Sequence, residues 1–156
     1  MRYPKSRSAS QGGHTLIEVL VVLGIMVVLV TAALQGWQDL VRRQQRAEGK
    51  AALLGVMQQQ ERHFSRHGRY QAFDAAAPGP FKWHSGPTPA ESAYSISAVT
   101  CADIGTDANA STGRCVSVLA HPGGAGVKPG HGDPACGVLR LDSRGVQQAD
   151  GGASCW

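Results

Sequence analysis

One carboxylate stands inside a run that is otherwise almost wholly apolar. The string is Gly13-His14-Thr15-Leu16-Ile17-Glu18-Val19-Leu20, and from Leu16 to Leu34 only Glu18 and Thr31 are polar. A charge in a membrane-length apolar segment costs several kcal/mol and is by default a functional residue with a partner. The nearest candidate partner is the α-amine that a cut after Gly13 would create. The residues therefore point to an ion pair between Glu18 and an amine.

Other sets are weaker. His63 and His67 have the i, i+4 spacing of a helical metal pair, but no Glu follows His63 and no third ligand is evident, so a solvated helix face is the reading. Gly123-Gly124-Ala125-Gly126 lacks the Lys-Ser/Thr ending of a phosphate loop and reads as a flexible loop. Asn109-Ala110-Ser111 has the form of an N-glycan sequon. No glycine-framed serine nucleophile occurs. These patterns support no catalytic, cofactor or metal site, and the chain reads as a non-enzyme.

The elements that place Glu18 follow from composition. The chain has 156 residues and a formal charge of +4. The first thirteen residues hold Arg2, Lys5 and Arg7 and no acid; without them 12 basic and 11 acidic residues remain, a net charge of +1. A basic segment before an apolar span stays on the cytoplasmic side. Leu16–Leu34 is 19 residues, about 28 Å as a helix and close to the thickness of a hydrocarbon core of about 30 Å. Its many Val and Ile would favour a strand in water, but a single span in lipid must bond its own backbone and so be helical. Gly24 permits close approach by a neighbouring helix.

Beyond the span, no proline occurs from Gln35 to His67. The residues are good helix formers. Leu40, Ala47, Ala51 and Leu54, widened by Leu53, Met57 and Phe64, predict an apolar stripe. Arg42, Arg43, Arg46, Lys50, Arg62 and Arg66 are expected on the opposite side. Gly68 is a helix stop. One helix from about Thr15 to His67 is predicted, with an outer half that needs an apolar partner.

Residues 74–90 contain Pro78, Pro80, Pro87 and Pro89 and read as irregular surface chain. Strand-like runs follow at Ala93–Thr100, Cys115–His121 and Gly137–Asp142, with a fourth short one near Gly145–Gln148. Tyr94, Ile96 and Ala98 alternate with serines, as in a half-buried antiparallel sheet. The links at 102–114 and 122–135 read as loops. A sheet on one helix face is a two-layer core, small enough to need staples. Cys101, Cys115, Cys136 and Cys155 all lie on the non-cytoplasmic side, with no Cys-x-x-Cys and no zinc spacing, so two disulfides are expected there. Three pairings are formally open.

The N-terminal string resembles the prepilin signature of type IV pilins and type II secretion pseudopilins, which usually has Phe where this chain has His14. Phe64-x-x-x-Gly68-x-Tyr70 and Cys136-Gly137-Val138-Leu139-x-Leu141-Asp142-x-x-Gly145 with a closing Cys155-Trp156 resemble the minor pilins of the PilE and ComP type. The resemblance implies an α+β pilin fold: a long N-terminal helix, its first half membrane-spanning, packed on a 3–4-stranded antiparallel sheet with a disulfide-closed C-terminal loop. It implies a leader (1–13), a transmembrane and assembly helix (14–35) and a periplasmic head (36–156) made of an amphipathic helix (36–67), a loop (68–92) and a sheet with loops (93–156). It implies cleavage between Gly13 and His14 by a prepilin peptidase, N-methylation of His14, and a Glu18 that neutralises the α-amine of a neighbouring subunit. It pairs Cys136 with Cys155, which leaves Cys101 with Cys115 to close a hairpin loop.

The implied partners are other pilins and the inner-membrane assembly platform. The implied location is the inner membrane, then the pilus. The favoured function is a minor pilin that enters or primes pilus fibres for assembly, adhesion or twitching motility. A special case is DNA binding for uptake, with Lys82 beside Trp83, Arg114, Lys128, Arg140 and Arg144 as contacts if the fold gathers them. The alternative is a type II secretion pseudopilin. The cluster of Arg42, Arg43, Arg46 and Lys50 could attract DNA or anionic lipid, but reads as the solvated face of a helix packed into a filament.

Overall fold

A computed structural model describes residues 15–101 and 113–156. The Gly13–His14 junction and the Asn109 sequon lie outside the described residues. The chain divides into two compact units, Met1–Leu40 and Val41–Trp156.

Helix α1 spans Leu16–His67. At its start the Thr15 carbonyl and hydroxyl accept from the Glu18 N–H at 3.1 and 3.4 Å, an N-cap that leaves the carboxylate in the first turn, where the helix dipole favours an anion. Thr31, the other polar residue of the run, donates its hydroxyl to the Val28 carbonyl at 2.9 Å, so it carries no unsatisfied donor into an apolar setting. Leu16, Ile17, Leu20, Leu23 and Val27–Val30 are all exposed, and this is the one helix among the described residues long and apolar enough to cross a membrane. At the other end Gly68 takes a left-handed φ of 69° and donates to Phe64 O at 2.7 Å. That is an αL cap, and a glycine adopts it without the Cβ clash another residue would meet.

The second unit is a four-stranded antiparallel meander in the order β1 (Tyr94–Thr100), β2 (Val116–Pro122), β3 (Leu139–Asp142) and β4 (Gln147–Ala149). Ile96 faces Ala120, Ala98 faces Val118, and Val118 faces Leu141. These residues, with Tyr94, Val116 and Leu139, form the buried face. The alternation read from the serines of β1 is this pleat.

The helix face that meets the sheet shares Leu53 and Met57 with the expected stripe and otherwise differs from it. Ala47, Ala51 and Leu54 are exposed; Gly49, Leu53, Val56 and Gln60 are buried. Their 4-3-4 spacing makes a stripe of its own, but two of its members are not apolar side chains. At Gly49 an added Cβ would stand 3.1 Å from the Tyr94 ring, so the tyrosine lies on bare helix backbone. Gln60 is fully buried and bonds both backbone groups of Gln71, Nε2 to O at 2.7 Å and N to Oε1 at 3.1 Å. Its amide satisfies a chain segment that no strand pairs.

That segment does more than cross the surface. Phe73 bridges to Ala98 and His84 to Ser95, which covers the open edge of β1. Phe73 and Phe81 stack at 4.9 Å and are both buried. The stretch 74–90, read as surface chain, thus contributes the Phe81 ring to the core, stacked on Phe73 just before it.

Cys101 is bonded to Cys115 and Cys136 to Cys155, over sequence separations of 14 and 19 residues. The first crosses the start of the β1–β2 connection. The second ties the chain end to the turn before β3. Loops of this length contribute on the order of 3 kcal/mol each by the chain-entropy argument, which matters for a core this small.

Candidate nucleic-acid interface

Three exposed cations, Arg62, Arg66 and Arg69, stand at the exit of α1. Arg62 and Arg66 stand one turn apart. Between and beside them the rings of His63 and His67 stack, with centroids 4.2 Å apart. With Gln59 they form one wall of an open groove of about 440 Å³, whose other wall is Pro80 and Phe81. The loop is pinned there by the Lys82 N–H, which donates to Gln59 Oε1 at 3.2 Å, and by Phe81 against His63 at 5.7 Å. Lys82 itself is exposed and does not line the groove; its Nζ donates to the Ser85 carbonyl at 3.3 Å.

Beyond Gly68 the chain meets the sheet. The Tyr70 N–H donates to Gly113 O at 2.8 Å, and the Ser143 N–H to Val116 O at 2.9 Å. These bonds set Arg69, Arg114 and Arg144 around the end of the sheet where β1 finishes and β2 begins. All three are exposed. Arg144 pairs with Asp142, Nη2 to Oδ2 at 3.1 Å. No carboxylate among the described residues forms an ion pair with Arg69 or Arg114. Tyr70 donates its hydroxyl to Glu61 at 2.8 Å; burial and this acceptor push its ionisation up to about 12, so it stays a neutral donor.

The five cations singled out in the sequence do not form one patch. Arg114 and Arg144 border this half of the head, whereas the Lys82 ammonium, on the Ser85 carbonyl, lies toward the start of β1, where the Ser85 N–H donates to Tyr94 O at 3.0 Å. Lys128 lies at the other end, its N–H donating to Ser92 O at 3.0 Å, a seven-residue strand away, or roughly 20 Å. Arg140 projects from β3 and pairs with Asp150 at 2.6 Å. Asp150 also accepts from the Val138 N–H at 3.0 Å; that bond and Arg140 hold its carboxyl below the usual range. Arg62, Arg66 and Arg69 were not nominated, because only the fold brings the helix end next to the β1–β2 and β3–β4 turns.

One arginine leaves the predicted solvated cluster. Arg46 forms a two-pronged bond to Asp133, Nε to Oδ2 at 2.8 Å and Nη2 to Oδ1 at 2.7 Å, and Tyr94 donates its hydroxyl to the same carboxylate at 2.9 Å. The Asp133 side chain is 2 % exposed. Burial works to raise its carboxyl, but the bonds from Arg46 and Tyr94 and the Arg46 charge overcome this and hold it below the usual value. The bond to Asp133 in turn raises the Arg46 guanidinium. Burial, then Asp133, raises the Tyr94 phenol. Arg46, Asp133 and Tyr94 tie helix, loop and sheet together and belong to the fold rather than to a docking face. Lys50 lies over the Trp156 ring at 5.8 Å; Arg42 and Arg43 remain exposed.

The histidine pair stands without a third ligand: the described residues hold no group of three metal-binding side chains. Ser97 and His121 sit 3.2 Å apart on the outer sheet face, and burial, then Arg140, lowers the His121 imidazole.

Residues 36–140 match the family model described as "Type IV minor pilin ComP, DNA uptake sequence receptor". This chain belongs to that minor pilin family. Residues 8–34 match the prokaryotic N-terminal methylation motif, so the processing signal and the head carry one assignment. The match also decides between pilin and secretion pseudopilin, in favour of the pilin. No curated protein matches the chain. A solved type IV pilin from Shewanella oneidensis is 27 % identical, covers 74 % of this chain with 97 % of its own length, and superposes with a TM-score of 0.46. The helix, the meander and the C-terminal disulfide of this pilin are the fold expected of that family, whose members are structural subunits.

Proposed function

We propose that this pilin is a DNA-receptor subunit of type IV pili. Residues 1–13 are its leader, 14–35 its membrane and assembly helix, and 36–156 its head, which faces the periplasm until assembly carries it to the cell surface. A prepilin peptidase cuts between Gly13 and His14, and the new α-amine is methylated. Glu18 then registers the subunit against its neighbour in the fibre. The observation that carries the DNA reading is the family match over the head. The exposed Arg69 and Arg114 at one end of the head support it, because affinity for DNA is driven by neutralising phosphates. With a net charge of only +1 after the leader, any such affinity must be local. Of the cations first considered, Arg114 and Arg144 are the proposed contacts; Lys82, Lys128 and Arg140 lie away from them.

A strain lacking this subunit should still display pili and lose most of its uptake of external DNA. Uptake equal to the parent strain, measured as DNA protected from external nuclease, would remove the receptor reading and leave a purely structural minor pilin. Processing has its own test. Mass spectrometry of the mature pilin should show a chain beginning at His14, and Gly13→Ala should leave the leader attached. A mature start at any other residue rules out the proposed cut.

A further inference from the structure

The groove at the helix exit has features that a merely solvated surface does not need. Arg62 and Arg66, Gln59, and the histidine pair line one side, Pro80 and Phe81 the other, and no carboxylate lines it. The two arginines are four residues apart, so their guanidiniums issue about 6 Å from each other along one helix face. His63 Nδ1 lies 3.0 Å from Arg69 O and His67 Nδ1 lies 3.0 Å from His63 O. A carbonyl can only accept, so Nδ1 carries the hydrogen in both rings and each Nε2 is left for an outside partner. Phe81, only 5 % exposed, is a fixed wall behind His63. The groove is open along its length, which suits a row of anions better than a single enclosed one.

We propose that this groove holds the backbone phosphates of one DNA strand, with Arg62 and Arg66 on phosphates along that strand. It is a contact line beyond Arg114 and Arg144, and continuous with them through Arg69, whose Cβ lies 3.2 Å from where a Cβ on Gly113 would stand. The inference rests on the DNA-receptor reading.

The test uses the full mature pilin in detergent micelles and a fluorescent duplex, with anisotropy read between 50 and 200 mM salt. Each phosphate released from its counterions contributes about 0.9 to the slope of log K against log salt. Arg62→Gln with Arg66→Gln should therefore lower the slope by about 1.8 and weaken binding on the order of a hundredfold at 50 mM salt. Both side chains are exposed, so the fold should hold. Arg62→Lys with Arg66→Lys keeps the charges and should keep the slope. An unchanged slope in the double glutamine variant, alongside a reduced one in Arg69→Gln with Arg114→Gln, would exclude the groove and retain the receptor. Displacement of the DNA by orthophosphate at matched ionic strength would mark the groove as a single-anion site and overturn the proposal. A parent protein that does not bind at 50 mM salt would overturn the groove and the receptor reading together.

Discussion

Asp133→Ala should destabilise the head by about 3 kcal/mol, the lower end for breaking a buried pair from one side. The carboxylate is 2 % exposed and accepts three side-chain hydrogen bonds, two from Arg46 and one from Tyr94. Its removal strands a guanidinium only 18 % exposed and a buried phenol. Stranded partners, rather than the missing contact, dominate such losses. For a head of this size the melting temperature should fall by roughly 10 °C. Arg46→Met combined with Asp133→Leu should cost less than either single change, because no charge is then left buried. The same group sets an acid limit. A carboxyl held below its ordinary value stabilises the fold fully above that value, about 3.9. The stabilisation is lost as pH falls through the lower folded value. Thermal melts by near-ultraviolet circular dichroism, with disulfides intact, decide the matter. A loss under 1 kcal/mol for Asp133→Ala would show that the network is not a structural tie.

Much of this architecture is visible in the residues alone. Glycine, glutamate and an apolar run coincide at one spacing, and few other segments place an acid there. The strands of the meander are legible because Tyr94, Ile96 and Ala98 alternate with serines, and one face of an antiparallel sheet needs only a period of two. The packed helix face is not legible in the same way. An aliphatic count selects Ala47, Ala51 and Leu54, whereas the sheet selects Gly49 for the room it leaves Tyr94 and Gln60 for the backbone it bonds. Neither choice follows from hydrophobicity. Arg46 reads as one of several solvated cations until the fold delivers Asp133 from 87 residues away. The same holds for the interface. Arg69 is brought beside the Gly113–Arg114 turn only because Gly68 turns the chain toward the β1–β2 junction, and no local pattern announces a contact between distant turns.

Glu18→Val should leave membrane insertion intact and sharply reduce entry into the fibre. Valine makes the span more apolar, so the variant should accumulate in the membrane at least as well as the parent. The fibre is different, because the proposed partner of Glu18 is the α-amine of another subunit, which without it must stay an unpaired charge or give up its proton once water is excluded. A charge left unpaired in a low-dielectric interior costs several kcal/mol, and each 1.4 kcal/mol is a tenfold change in an equilibrium. Incorporation should therefore fall by at least tenfold. Glu18→Gln separates charge from shape: it keeps the length and a hydrogen-bonding oxygen, yet it should fail nearly as badly, because the amine requires a counter-charge. The readout is the ratio of pilin in sheared fibres to pilin in the membrane fraction, by immunoblot, for parent and both variants. If Glu18→Gln assembles like the parent while Glu18→Val does not, the role of the residue is packing or hydrogen bonding rather than neutralisation. If both assemble normally, Glu18 does not register the subunits at all.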